Sequence, residues 1–161
     1  MIVIGDEILS GRTRDSNAHH LATVLTEAGI NLREVRMIPD EKDVIVRTVR
    51  EMKEQVDHVF TSGGIGPTHD DITADSVAEA FGDHIDVRAD ARALLEESYA
   101  KRGMEINEAR LRMARIPDSA TLIDNPVSTA PGFTIGNVHV MAGVPAVFVE
   151  MVKSVTLGDR E

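Results

Sequence analysis

Among 161 residues there is no cysteine, no tryptophan and a single tyrosine. The lack of cysteine excludes disulfides, thiolate metal sites and cysteine nucleophiles. Aromatics make up only 3%, so a stacking platform for nucleobases is not expected. Basic residues are also outnumbered: 17 Lys and Arg stand against 27 Asp and Glu, a net charge of −10. Nucleic acids and anionic membranes both require a basic face, so neither is an expected partner. No apolar run approaches the ~20 residues of a membrane span. No signal peptide is visible, which fits a cytoplasmic protein. What is present is ordinary for a globular chain, with 42% apolar and 27% charged residues, and the length fits one domain over residues 1–161.

The most informative stretch is Thr61-Ser62-Gly63-Gly64-Ile65-Gly66-Pro67-Thr68-His69-Asp70-Asp71-Ile72-Thr73. A buried strand, Val59 to Thr61, leads into it, and helix formers from Ala74 to Phe81 follow. A strand, a glycine-rich turn and a helix start bring backbone N–H groups together where an anion can sit. Gly63, Gly64 and Gly66 allow close backbone approach, and Pro67 stiffens the exit. Asp70 and Asp71 come next, and carboxylates beside a phosphate call for a cation between them. The same acids, with Thr73, also suit the N-terminus of the following helix. A Walker A motif needs Gly-Lys-Ser/Thr where this chain has Pro67-Thr68-His69, and a dinucleotide fingerprint needs glycine where His69 stands.

Taken in order, Met1-Ile2-Val3-Ile4 reads as a strand that starts without a lead-in, as though clipped at its front. A polar loop, Gly5 to Asn17, follows, with Asp15 or Ser16 placed to cap a helix that carries Leu21, Val24, Leu25 and Ala28 and stops at Gly29. Ile30, Leu32, Val35 and Met37 suggest a strand ending at Pro39, and a helix from near Asp43 buries Val44, Ile45, Val49 and Met52. This alternation of strand and helix predicts parallel βαβ units. Their loops, Gly5–Asn17, Pro39-Asp40-Glu41 and the glycine loop, then share the sheet edge where ligands bind.

Beyond Phe81 the spacing predicts a helix over 90–102 with a stripe of Leu94, Leu95 and Tyr99, and a helix from Glu108 to Arg115 capped by Asn107 and ended by Pro117. The arginines of that second helix read as a solvated or oligomer-facing surface. Thr121–Ile123 is a short strand, Asn125–Phe133 a turn-rich loop, and Gly136-Asn137 a hairpin turn between Phe133–Ile135 and Val138–Met141. A last helix runs from Ala146 to about Ser154, and the polar end from Gly158 to Glu161 reads as frayed.

Clustered oxygen donors suit Mg²⁺ or Mn²⁺ bound together with substrate phosphates. The candidates at the shared edge are Asp6, Glu7, Asp40, Asp70 and Asp71, although Asp6 and Glu7 read equally as solvated loop acids. Arg12 and Arg14 offer positive charge, or decorate the surface. His69 is the histidine placed to touch a ligand, and no Ser-His-Asp or nucleophile-elbow pattern appears.

Several of these segments together resemble the N-terminal domain of CinA proteins. They are Gly5-Asp6-Glu7-Ile8-Leu9-Ser10-Gly11 with Asp15-Ser16-Asn17, then Ile38-Pro39-Asp40-Glu41, the whole glycine loop, Asn125 to Phe133, and Gly143-Val144-Pro145. That domain belongs to the molybdopterin-binding superfamily, with MogA, MoaB and a domain of MoeA. The resemblance implies a three-layer α/β/α sandwich with a mainly parallel sheet and a β-hairpin, commonly as a homo-oligomer. It implies binding of a phosphorylated nucleotide or a pterin, and most specifically hydrolysis of ADP-ribose-like pyrophosphates with Mg²⁺, Mn²⁺ or Co²⁺. Carried over residue by residue, Asp71 and Asp40 are catalytic, and Asp71, Asp70 and Asp40 bind metal. Ligand contacts fall to Gly5, Asp6, Glu7, Gly11, Asn17, Ser62, Gly63, Gly64, Gly66, Pro67, Thr68, Ser128 and Gly143.

Relatives in molybdenum-cofactor synthesis typically carry Gly-Gly-Thr-Gly and then an Arg-Asp pair. Here Ile65 replaces that Thr and Asp70 the Arg, which exchanges a positive charge for a negative one. Ser128 and Ala142 stand where glycine and proline are usual in the family. The alternatives implied are a non-catalytic molybdopterin-binding module and a molybdopterin adenylyltransferase. The resemblance does not extend to the C-terminal amidase domain of full-length CinA, so the chain reads as a stand-alone domain or a fragment.

Overall fold

The structure is a computed structural model and describes residues 1–158. It begins with β1 (Ile2–Ile4), a single helical turn α1 (Asp6–Leu9), α2 (Asn17–Glu27), β2 (Arg36–Ile38), α3 (Lys42–Gln55), β3 (Val59–Ser62) and α4 (Thr73–Phe81). It continues through β4 (Ile85–Val87), α5 (Ala89–Lys101), α6 (Glu108–Leu111), a 3₁₀ turn (Arg112–Ala114) and β5 (Arg115–Pro117). The last elements are β6 (Thr121–Ile123), β7 (Gly132–Ile135), β8 (Val138–Met141) and α7 (Pro145–Gly158).

Six strands form one mixed sheet in the order β2-β1-β3-β8-β7-β6. The pairs β2–β1, β1–β3 and β3–β8 are parallel; β8–β7 and β7–β6 are antiparallel. Helices cover both faces because side chains alternate along each strand. Ile2 and Ile4 join Ile45, Val49, Met52 and Val77 in a core beneath α3 and α4. Val3, Phe60 and Met141 join Leu21, Leu25, Phe148 and Met151 beneath α2 and α7. β8, covered on both sides, is buried at all four positions, Val138 to Met141. Each fully buried side chain such as Ile45 or Phe148 contributes about 1.5–3 kcal/mol by leaving water. The result is the three-layer architecture expected from the sequence, and Gly136 turns the β7–β8 hairpin with φ 55°.

Several local expectations need correction. The stretch from Ile30 to Met37 is extended strand only at Arg36–Ile38, and Ile30, Val35 and Met37 are exposed. The run 30, 32, 35, 37 breaks the two-residue period, so its apolar members cannot share one face. In α5, Ala91 and Leu95 are buried and Leu94 faces solvent. The helix expected over 108–115 lasts one turn plus the 3₁₀ segment, and Pro117 ends a strand instead of a helix. Asn107 does cap α6, its Oδ1 accepting from the Arg110 N–H at 2.8 Å. β5 pairs antiparallel with β4 in a second, two-stranded sheet that the sequence reading missed. Tertiary burial explains the switch: Ala114 and Ile116 are drawn into the same core as Ile2 and Val77. Asp15, rather than Ser16, holds the start of α2, accepting from the Asn17 and Ala18 N–H groups at 3.3 and 3.0 Å. The end expected to fray, 158–161, lies outside the described residues apart from Gly158, which closes α7.

Among the described residues no helix is long and apolar enough to cross a membrane.

Candidate functional site

The chain passes from β1 to β2 on one side and then crosses to β3 on the other, so the sheet's direction of winding reverses between β1 and β3. Loops splay apart at such a point and leave a crevice at the strand carboxyl ends. Here the crevice is a cleft of about 620 Å³ lined by Asp6, Glu7, Arg12, Asp40, Gly64, Thr68, His69, Asp70 and Asp71, together with Ile4 and Ile72. Three loops far apart in sequence supply its five acids, as the shared-edge argument requires.

Gly64 brings the glycine turn to the cleft's wall. Gly63 and Gly64 have φ of 98° and 75°, in the left-handed region. A side chain on Gly63 would strike the Ile4 carbonyl, and one on Gly64 would strike the Thr73 hydroxyl. Thr73 is fully buried and braces the turn: its Oγ1 donates to the Gly63 carbonyl at 3.0 Å, and its N–H donates to the Gly64 carbonyl at 3.0 Å. The residue therefore serves the loop, not the cap of α4, whose N-terminus has no side-chain acceptor. Gly63 was expected to offer its amide to a phosphate, but that N–H donates to the Met141 carbonyl at 3.2 Å and is committed to the sheet. Among the described residues, the N–H groups of Gly64, Ile65 and Gly66 have no protein acceptor. Of the three, Gly64 lines the cleft, while Ile65 and Gly66 line a small recess behind the turn.

The acids fall into two arrangements. Asp6 and Asp40 exchange hydrogen bonds, each carboxylate accepting the other's backbone N–H at 3.1 Å. Burial, and then the charges of Asp6, Glu7 and Asp71, push the Asp40 carboxyl above its ordinary range against the opposing pull of the Asp6 N–H. Asp71 instead folds back on its own turn, where its Oδ2 accepts from both the N–H and the Oγ1 of Thr68 at 2.9 Å. Asp70 is exposed, 3.5 Å from His69 Nε2. The adjacent aspartates therefore point differently, one to the turn and one to solvent, and neither caps α4.

Of the other expected contacts, several are scaffolding around the cleft. Gly5 donates its N–H to the Ile38 carbonyl at 3.1 Å. Asn17, buried, ties α2 to the turn after β8 by donating its Nδ2 to the Gly143 carbonyl at 2.9 Å. Gly143 itself packs against Gly63, and Ser62 is buried at the end of β3. Pro67 is exposed at the loop's outer bend. Gly11 and Ser128 do not line the cleft; Ser128 Oγ accepts from Asn125 Nδ2 at 2.8 Å. Gly66 lines a small recess of about 20 Å³ behind the turn, with Gly64, Asp71, Asp75, Arg112 and Arg115 among its walls.

Arg112 and Arg115 are the residues that sequence reasoning misplaced. Arg115 makes two bonds to Asp75 Oδ1 at 2.7 and 3.2 Å, and Arg112 reaches the carbonyls of Thr68 and Asp71. Neither is a free surface cation. Only the separation of about 40 residues hid them, because nothing local in Glu108 to Arg115 signals the contact.

The five carboxylates of the cleft are oxygen donors of the kind that suits a hard divalent cation sharing phosphate oxygens. Among the described residues, no group of three His, Cys, Asp or Glu side chains is arranged to hold a metal ion by itself.

A family described as "Probable molybdopterin binding domain" matches residues 1–158. The chain belongs to that family. Among solved structures, a CinA protein of unknown function from Thermoplasma acidophilum is 35% identical, covering 98% of this chain and 95% of that one with a TM-score of 0.89. This domain is thus CinA-like within the family. The molybdopterin biosynthesis enzyme MoaB of Thermus thermophilus has a TM-score of 0.59 at 16% identity, over 97% of this chain and 87% of that one, and shares the fold alone. A protein of Pyrobaculum calidifontis is 40% identical over 90% of this chain and 57% of its own length. One of Archaeoglobus fulgidus is 35% identical over 91% and 62%. The chain thus spans less than two thirds of the length of these curated relatives.

Proposed function

We propose that this CinA-like domain is a divalent-cation-dependent pyrophosphatase acting on ADP-ribose or a closely related nucleotide diphosphate. The observation that carries the reading is the open Gly64 amide on the wall of a strand-end cleft lined by five carboxylates, with the unpaired Ile65 and Gly66 amides next in the same turn. An anion alone would be repelled by those acids, and a cation alone has no reason to adjoin a glycine turn. A diphosphate with its cation satisfies both.

In this reading the Gly64–Gly66 amides hold one phosphate of the substrate, and Arg12 offers charge to the other. Asp40 and Asp71 would hold the divalent cation together with diphosphate oxygens, and when bound it supplies charge neutralisation at the phosphorus. Asp40 is the carboxylate that accepts a proton from the attacking water in this reading. Water adds to one phosphorus, the bridging P–O bond breaks, and the products are AMP and ribose 5-phosphate. Incubation with ADP-ribose and Mg²⁺, Mn²⁺ or Co²⁺ tests this: AMP release that is lost in Asp71→Ala is the expected result. No AMP above that variant refutes it.

A second reading is a molybdopterin-binding module without turnover. The in-turned Asp71 carboxylate favours it, since its Oδ2 is already occupied by Thr68. Tight molybdopterin binding together with no hydrolysis of ADP-ribose would select this alternative.

A further inference from the structure

Arg112 opens the 3₁₀ turn and lines the recess behind the glycine loop. Its Nε donates to the Thr68 carbonyl at 3.0 Å and its Nη2 to the Asp71 carbonyl at 3.4 Å. Those are the two residues already bonded to each other. The Asp71 N–H donates to the same Thr68 carbonyl at 3.1 Å, and the Asp71 carboxylate accepts from the Thr68 N–H and hydroxyl. The turn is thus a closed knot, and the guanidinium fastens it to the body of the protein. Three residues further on, Arg115 fastens the first turn of α4 through Asp75. One short segment therefore holds residues 68–75 at both ends.

We propose that Arg112 is a positioning residue: it fixes the Thr68–Asp71 turn and so sets the orientation in which the Asp71 carboxylate meets the cleft. This rests on the reading of the cleft as a diphosphate and cation site. Arg112 acts through the loop and does not touch the ligand. The planar guanidinium matters because its fork serves two carbonyls at once, whereas an ammonium on a flexible stem acts as a point charge and does not reproduce that fork. A misplacement of about 1 Å at a catalytic group costs on the order of 10²-fold in rate.

The test compares wild type, Arg112→Lys and Arg112→Ala. The first measurement is hydrogen exchange at the Asp71 and Thr68 amides, which is independent of any activity. The second is steady-state turnover of ADP-ribose with Mn²⁺. Both variants are expected to stay folded, with exchange at Asp71 faster by about 10-fold or more as the turn loosens. Turnover is expected to fall about 10- to 100-fold in kcat with KM within about 3-fold. Millimolar guanidinium added to Arg112→Ala is expected to restore part of kcat, which a merely stabilising role would not give. Unchanged exchange at Asp71 in both variants overturns the proposal, as does a loss confined to KM, which would place Arg112 on the ligand. If Arg112→Ala does not fold, Arg112→Lys decides alone. If the wild type itself releases no AMP, the pyrophosphatase reading falls, and the exchange measurement still decides whether Arg112 sets the turn.

Discussion

Asp6 and Asp40 lie 34 residues apart and each accepts the other's backbone N–H at 3.1 Å, so the loops after β1 and β2 are stitched by a reciprocal pair of acids. The arrangement places two carboxylates side by side at one wall of the cleft, with Glu7 and Asp71 near enough to raise the Asp40 carboxyl further. Structure here is held by groups whose charges repel.

That repulsion gives a signed pH dependence. The native Asp40 carboxyl is raised above its unfolded value, so ionising it costs the fold stability. Below the unfolded carboxylate range, about pH 4, there is no cost; it grows as pH rises through the raised native value. Asp40→Asn keeps an oxygen to accept the Asp6 N–H and removes the charge. Its melting temperature should exceed that of wild type at pH 7.5, with the difference shrinking towards zero below pH 4. The half-exposed position limits the gain through solvent screening. Thermal denaturation of both proteins across pH checks this.

A divalent cation should reverse the same penalty. Adding Mn²⁺ with a non-hydrolysable ADP-ribose analogue should raise the wild-type melting temperature. At about 100 times its dissociation constant, binding is worth about 2.7 kcal/mol. The increment should be reduced in Asp40→Asn and in Asp71→Ala, as measured by calorimetry.

Thr73→Val probes the brace behind the glycine turn. The substitution nearly preserves shape but leaves the Gly63 carbonyl without the Thr73 hydroxyl. Loss of the bond should cost about 1–3 kcal/mol, read by urea denaturation, and should lower affinity for phosphate-bearing ligands. Thr73→Ser, which keeps the hydroxyl, should retain most of both.

Thr61 gives the opposite expectation. Its side chain is fully buried on β3, and its Oγ1 is the one buried side-chain polar atom without a hydrogen-bond partner among the described residues. Thr61→Val should therefore raise stability by about 1 kcal/mol. Equilibrium unfolding that shows a loss instead would mean that a bound water satisfies the hydroxyl.

The parts of the fold that were legible in sequence are those where local chemistry and burial agree. Gly136-Asn137 turns a hairpin between two apolar strands, and β1, β3 and the helices between them follow the βαβ alternation. The acids of the cleft were legible because a parallel sheet sends its strand-end loops to one edge. What stayed hidden depends on distant partners. Three-residue strands such as Ile85–Val87 and Arg115–Pro117 carry too little pattern to be read without each other. Arg112 and Arg115 look like surface charges until the fold brings Thr68 and Asp75 to them. Likewise Gly63 lost its amide to Met141, a contact made only when β3 and β8 pair.

The pairing of open amides with acids at one cleft is tested most directly by ¹⁵N amide shifts during titration with ADP-ribose, with and without Mg²⁺. The expected result is large, saturable perturbation at Gly64, Ile65 and Gly66 that strengthens when Mg²⁺ is present, with Gly63 little changed. Perturbations centred away from the glycine turn, or binding indifferent to Mg²⁺, would contradict it.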